Sequence, residues 1–521
     1  MSMPFDGQIF TFQNPDGSEV TLRGWGNQHY AVFEDLEGYT VTRDPDSGFY
    51  HYAELSDDSE RLVATPTRVG EASPADLEFV PGVRIRRRAA REQAAAGSTT
   101  LPDNRRWTKR REEKKAQARA MPERGELQAD GTPAPPPGAT TGTYVGLCLL
   151  IQFPDVAGTI TTAQVEDFCN QPGYSGFGNN GSVRDYFRDV SDNTLTYTNI
   201  VTAYYTASHN RSYYTDESQP NGSRARQLID EALDSLVADG FDFSGLSSDG
   251  SGFIYALNVY YAGPNVNNWS KGLWPHAWAL PSPYNVGGGK KFNDYQITNM
   301  GAELTLRTFC HENGHMICDF PDLYDYGGES NGPGHFCLMG YGGNNKNPTQ
   351  VGAYLKNAAG WTSSITPISA GSNGSVTAGT NDFYIHNKNG TEYFIVENRQ
   401  KTGRDAALPD HGLAIWHVDE TGSNNNEQMT PSMHYECSLI QADNRFDLEG
   451  RSNAGDADDL FSSPGVTTFD DNSGPDARWW DGSNSGLLID QISASGPTMT
   501  FTTGGAPPDN GIPGVYLLLL S

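Results

Sequence analysis

The stretch RTFCHENGHMICDFPDLYDYGG, residues 307–328, sets His311 and His315 four residues apart with Glu312 between them, Cys310 and Cys318 on either side, and a run of carboxylates straight after. On an α-helix residues i and i+4 share a face, so both imidazoles can aim a nitrogen at one point about 2 Å away, a distance that suits zinc. Glu312 then stands beside that point without having to ligate, placed to take a proton from an attacking water and pass it to a leaving group. Leu304 and Thr308 precede the histidines at the same spacing and extend the expected helix back toward Gly301. A zinc that does chemistry needs a third protein ligand and one open position. Around the break at Pro321 the segment offers Asp319, Asp322 and Asp325 as that ligand. Downstream, GHFCLMGYGG, residues 334–343, holds Met339 in a Gly-rich turn where a thioether can floor the site.

Outward from this motif the chain divides by texture. Its 521 residues exceed one ordinary domain, and 58 Gly and 31 Pro point to many loops and strands rather than a helical bundle. Residues 1–83 read as a β-rich unit of short runs (QIFTFQ, EVTLRGWG, GFYHYAEL) separated by Gly, Asp and Pro turns. Between Arg84 and Arg124 lie 14 of the 36 Lys and Arg against five acids, so this segment carries +9 while the whole chain carries -28. With the Pro-rich DGTPAPPPGATTG that follows, residues 84–142 read as an exposed linker open to proteolysis.

From Thr143 the pattern turns α/β. TYVGLCLLIQF fits a buried strand, SVRDYFRDVS a short helix, and residues 224–238 a helix capped by Ser223 and stopped by Gly240, whereas GLWPHAWALP reads as an aromatic loop. Beyond Trp361 the texture is β again, with Asn389-Gly390 marking a hairpin.

The order HENGH, PDLYD, CLMGYGG resembles the metzincin-like secreted metalloproteases of the immune inhibitor A type, and SVRDYFRDVS, LWPHAW, YFIVENRQ and LIQAD are similar to that family's other regions. The resemblance covers most of residues 5–502. It implies an α+β protein: a β-rich propeptide over 1–83, a cleavable linker over 84–142, a zincin-like catalytic domain over 143–363, a β-sandwich-like domain over 364–503 and a tail over 504–521. It also implies Zn2+ as cofactor, His311, His315 and Asp322 as ligands, Glu312 as general base, Met339 as the turn methionine, and protein or peptide substrates cleaved by a secreted zymogen. Tyr341, two residues after Met339, is placed as in several metzincins to hydrogen-bond the oxyanion, with core packing as the alternative.

In one respect the sequence departs from the family. Pro321-Asp322 sits six and seven residues after His315 rather than five and six, and Cys318 takes a glycine position. One extra residue has entered the turn, which Asp319 can absorb in a left-handed conformation. Asp319, Asp325 and Glu329 therefore stand as alternatives to Asp322.

Other readings follow from inventory. The acidic balance argues against nucleic acid as a partner, no run approaches the length of a membrane span, and a monomer is expected. No signal peptide is visible in the first thirty residues, although export is expected. The six cysteines permit disulfides without requiring them, and Cys318 and Cys337 flank the site. Asp443, Asp447, Asp456, Asp458 and Asp459 offer oxygens for Ca2+, or simply a solvated loop. His276 is either a cleft residue or part of a packed aromatic loop. Residues 1–147 contain no cysteine, so latency cannot use a thiolate; His29, His51, a carboxylate or plain steric cover remain. The rival reading is a surface binding or adhesion protein that keeps the protease fold without its activity.

Overall fold

The computed structural model of the chain describes residues 3–99, 104–120, 138–425 and 429–504. The alternating runs at the start form an antiparallel meander in sequential order: β1 (Phe5–Gln13), β2 (Glu19–Gly26), β3 (Ala31–Glu34), β4 (Thr40–Arg43), β5 (Tyr50–Leu55) and β6 (Leu62–Arg68). The sequence does not announce β6, because Pro66 interrupts it; at the edge of a sheet that proline is tolerated. Phe12, Leu22, Phe33 and Val41 form a core that Trp274 of the central unit completes, its ring 5.5 Å from Phe10 and 6.1 Å from Phe12.

The basic stretch is not the exposed linker expected from composition. It folds as α1 (Arg87–Thr99) and α2 (Arg106–Ala120). α1 lays Ala89, Ala90 and Ala94 against Tyr30 and Val32, and α2 buries Trp107, Arg110 and Arg111. Burial of the arginines is sustained by carboxylates elsewhere in the chain, which composition cannot assign to partners. The Pro-rich part, residues 133–137, lies outside the described residues.

The central sheet contains β7 (Gly142–Gln152), β8 (Leu195–Thr206), β9 (Leu257–Ala262), β10 (His276–Gly287) and β11 (Lys290–Met300), in the order β10-β11-β9-β7-β8. Four strands run parallel and β10 is antiparallel at the edge. The near-continuous apolar run of β7 follows from burial on both faces: Cys148 and Leu150 enter one core, Leu147, Leu149 and Ile151 the other. The helices are α3 (Thr162–Asn170), α4 (Val183–Val190), α5 (Arg211–Tyr214), α6 (Ser223–Ala238), α7 (Leu306–Cys318) and α8 (Ala353–Ala358). α3, α4 and α7 share the first core and α6 the second. Ser223 is the first residue of α6 rather than its cap, which is Gly222 in a left-handed conformation. Part of the aromatic loop is strand β10, joined to β11 through Gly287–Gly289 at φ of +84°, +58° and +78°, a run only glycine adopts without strain.

The remaining chain forms two sheets. β12 (Ser364–Pro367), β14 (Asp382–Asn387), β15 (Glu392–Arg399), β16 (Gly412–Asp419) and β17 (Cys437–Leu439) make the larger; β13 (Asn373–Thr377), β18 (Phe469–Asp470), β19 (Leu488–Asp490) and β20 (Thr498–Thr503) the smaller. Asn389-Gly390 lies between antiparallel β14 and β15, as its sequence signal predicts. Phe394, Val396 and Ile415 face Ile489 and Phe501 between the sheets, while Ile395, Trp416 and Val418 face the core that holds α7. The larger sheet is thus buried on both sides, and packing is continuous across residue 363. All six cysteines are buried free thiols. Among the described residues no helix is long and apolar enough to cross a membrane.

Because Trp274 completes the meander's core, Trp274→Ala should cost about 3–5 kcal/mol. Residues before 84 should then be digested faster by a nonspecific protease, while the remainder keeps its resistance; equal digestion in parent and variant would contradict this.

Candidate metal centre

α7 begins at Leu306, not near Gly301, since Thr305 is extended and the Leu304 carbonyl accepts from Asn179 Nδ2 at 2.8 Å. Its rotation is set by a buried polar network. The Tyr197 hydroxyl donates to Asn313 Oδ1 at 2.6 Å, and Asn313 Nδ2 donates to Asn258 Oδ1 at 2.8 Å, tying the helix to β8 and β9. On the neighbouring side Gly314 makes room for Met339, since a Cβ there would lie 3.1 Å from its Sδ. The helix ends at Asp319 in a left-handed conformation, φ +59° and ψ 28°, whose N–H returns to the carbonyls of Gly314 and His315. Asp319 thus takes the left-handed conformation expected of it, as its residue type allows.

The reversal brings Asp322 to the histidines. Its Oδ1 lies 3.1 Å from His311 Nε2 and 3.2 Å from His315 Nε2, and the two Nε2 atoms are 3.2 Å apart. Ligands at about 2.0–2.1 Å around a tetrahedral zinc are separated by about 3.3–3.4 Å, so the triangle is close to the size such an ion requires. The other nitrogens decide the protonation pattern. His311 Nδ1 meets the Leu338 carbonyl at 3.0 Å and His315 Nδ1 the Phe320 carbonyl at 2.6 Å. Carbonyls only accept, so each Nδ1 carries hydrogen, and in the neutral rings both Nε2 atoms turn lone pairs toward the Asp322 carboxylate.

Three buried acceptors in contact repel unless a cation or protons lie among them. Burial pulls the His311 pKa down, but the hydrogen bond its protonated ring donates to Asp322 and the charges of Glu312 and Asp322 outweigh it and shift it up. Burial pushes Asp322 up, yet the charge of His315 and the hydrogen bonds of both imidazoles hold it well below the usual range. Glu312 is 2% exposed and neither of its carboxylate oxygens has a hydrogen-bond partner, as suits a group that meets a water or a substrate. The donor set and this orphaned carboxylate fit a divalent cation such as zinc.

Among the other expected residues, Asp319 pairs with Arg110 and Lys114, each at 2.9 Å. Asp325 accepts from the Glu329 amide, and Glu329 faces Arg91 at 3.5 Å. Of the carboxylates considered as third ligand, Asp322 is the one grouped with His311 and His315. Tyr341 is buried with its hydroxyl donating to Asn331 Oδ1 at 2.9 Å. His276 bonds the Trp274 carbonyl and the Tyr295 hydroxyl, and burial pushes it down to about 4; it belongs to packing. Asp443, Asp456 and Asp459 come together whereas Asp447 and Asp458 stay outside the group; burial and neighbouring carboxylates push Asp459 up to about 7.

Two contributors escape a sequence reading. The Tyr326 hydroxyl donates to Asp322 Oδ2 at 2.9 Å, and Asn425 Nδ2 donates to the carbonyls of Asp322 and Tyr324 at 3.2 and 3.0 Å. Tyr326 lies four residues from Asp322, a weak local signal; Asn425 offers none. Early segments of the chain cover the site. Trp107 lies on the His315 ring, centroids 4.7 Å apart and planes 26° apart. In the turn between β2 and β3, Asn27 Nδ2 donates to the Tyr326 carbonyl at 3.0 Å and the His29 ring sits 4.7 Å from the Tyr326 ring. Neither His29 nor His51 joins the cluster; His51 bonds Thr65 within the meander.

No family model matches the chain. Part of it is 28% identical over 196 residues to the pre-pro-metalloprotease PrtV of Vibrio cholerae serotype O1, in strains M66-2 and ATCC 39315 (El Tor Inaba N16961). The match covers 31% of this chain, and the chain spans about a fifth (21%) of the length of those relatives. This is a distant and partial similarity to a metalloprotease, which points to a metalloprotease-related region.

Asp322→Ala should abolish tight zinc binding in a competitive chelator titration, while Asp319→Ala keeps it; the reverse result would move the ligand to Asp319. Tyr326→Phe, which removes the hydrogen bond that the tyrosine hydroxyl donates to Asp322 Oδ2, should weaken zinc binding about 10–100-fold with the fold intact.

Proposed function

We propose that the chain is a zinc-dependent endopeptidase made as a secreted zymogen, with a zincin-like catalytic unit over residues 143–363. The observation that carries this reading is the convergence of His311 Nε2, His315 Nε2 and Asp322 Oδ1 beside a Glu312 carboxylate whose oxygens have no partner. The parallel sheet with one antiparallel edge strand next to α7 and the partial similarity to a metalloprotease precursor support it.

Bound zinc would supply Lewis acidity toward a peptide carbonyl. The work of the chain's own residues follows from their placement. The backbone carbonyls of Leu338 and Phe320 hold the two imidazoles in the ligating tautomer, and Tyr326 orients Asp322. Glu312, adjacent to His311 in sequence and undistracted by any hydrogen bond, accepts a proton from the attacking water and returns it to the leaving amine. Met339 under Gly314 keeps the floor apolar. With its hydroxyl committed to Asn331, Tyr341 serves the oxyanion only if that bond is exchanged. Trp107 over His315 accounts for a latent precursor without any thiolate.

Glu312→Gln should retain stoichiometric zinc and lose at least about a hundredfold of casein hydrolysis, the scale of general-base catalysis. Activity within a few-fold of the parent would remove Glu312 from the mechanism.

Brief trypsin treatment of the full chain should raise activity. The productive cut should fall beyond Lys115, because Arg110 and Arg111 are buried and Lys114 and Lys115 are held in ion pairs. An uncut chain as active as the trimmed one would overturn the zymogen assignment and leave the metal centre standing.

A further inference from the structure

α2 is an unusual helix to find docked on a protein interior. Its sequence, RWTKRREEKKAQARA, has seven Lys or Arg in 15 residues and no apolar stripe, with Trp107 its only large apolar side chain. What holds it is ionic. Arg106 and Arg110 lie 3.0 and 3.9 Å from Asp249; Arg110 and Lys114 each lie 2.9 Å from Asp319. Arg111 and Lys115 converge on Glu436. The start of the helix is fixed by the amides of Arg106 and Trp107, which donate to the two oxygens of Asp294 at 2.7 and 2.9 Å.

Seen from the other partner, the pattern is one-sided. Among the described residues, every ion pair made by Asp249, Asp319 and Glu436 runs to α2. These carboxylates come from separate parts of the chain, and no cation of the central or C-terminal units is spent on them. A helix designed to stay would dock through apolar residues, which lose nothing by permanent burial. A helix held chiefly by charge can leave while exposing little apolar surface beyond Trp107 and the ring it covers, and it leaves behind a row of carboxylates lacking counter-charge. That row adjoins the metal centre: Asp319 is the last turn of α7, four residues after His315, and Trp107 of the same bound helix lies flat on the His315 ring.

We propose that Asp249, Asp319 and Glu436 form a recognition surface for lysine- and arginine-rich polypeptide segments brought to the metal centre, and that α2 occupies it in the intact chain as an internal competitor. The proposal rests on the peptidase reading for what happens after binding, but the binding itself does not. Asp319, in the left-handed turn after α7, thereby has a use: it carries two of the ion pairs. The charge balance favours such a partner, since the chain carries -28 with α2 included.

The test is binding in trans, with no turnover required. A fluorescent peptide of residues 104–120 is titrated into the full chain and into the full chain bearing Arg110→Ala, Arg111→Ala, Lys114→Ala and Lys115→Ala, with anisotropy as the readout. The peptide should bind the four-alanine chain and not the parent, and adding Asp319→Asn with Glu436→Gln should weaken that binding by about tenfold or more. Equal binding to parent and four-alanine chain, or binding indifferent to the two carboxylates, would overturn the proposal.

Should the four-alanine chain fail to fold, hydrogen exchange on the unaltered protein decides. α2 amides should exchange several-fold faster when salt is raised from about 0.05 to about 0.5 M, with α7 amides unmoved. Protection of α2 that ignores salt would sink the proposal. Basic-peptide binding without any peptide hydrolysis would instead count against the enzymatic reading alone. Hydrolysis with no preference for basic segments would do the converse.

Discussion

The centre of this molecule is a repulsion. Two imidazole lone pairs and a carboxylate oxygen are held about 3 Å apart in the buried interior, and each is held there by something else: a carbonyl on each Nδ1 and a tyrosine hydroxyl on the far carboxylate oxygen. None of these groups can turn away to relieve the contact. A cation among them would relieve this repulsion, and its binding would then be coupled to the stability of the native state. The Asn313 network, the glycine that admits Met339 and the left-handed Asp319 all serve to keep three acceptors from escaping one another.

How much of this could be read from the chain depends on sequence distance. The two histidines and Glu312 are joined by helical periodicity, and the turn that delivers Asp322 is nearly as local, so both the cluster and the left-handed Asp319 were legible. The hairpin at Asn389-Gly390 was legible for the same reason. Tyr326 on Asp322 falls at the margin, since a tyrosine four residues away has many possible fates. Asn425 reaches the same loop across a hundred residues and leaves no mark on any local pattern.

α2 illustrates the opposite failure. Its Ala, Arg, Lys, Glu and Gln are good helix formers, so the helix itself was available from propensity. Yet the absence of an apolar face made it look like a solvated linker, because burial is usually inferred from apolar periodicity. Ionic docking has no such signature. It depends on carboxylates 130 or more residues away, each unremarkable in its own neighbourhood. β10 was missed on related grounds: the aromatic run that reads as a packed loop supplies both the first residues of an edge strand and Trp274, the closing residue of another core.

The segments that precede the central sheet are therefore fastened by two different forces. The meander is seated through aromatic contacts on Trp274, and its turn between β2 and β3 is further held by Trp269, whose indole N–H donates to the Asn27 carbonyl at 3.0 Å. α2 is fastened by charge. Apolar contact is indifferent to ionic strength and strengthens with area, whereas a helix held by ion pairs separates its charges on leaving, and salt and competing ions favour the separated state. The meander can thus remain in place while α2 exchanges for another cationic segment. Because Asn27 bonds the Tyr326 carbonyl and Tyr326 bonds Asp322, the retained part still contacts a residue that orients Asp322 after the exchanged part has gone. Cover and geometry are separable in this arrangement. One early segment shields the centre, and another helps to hold it in shape.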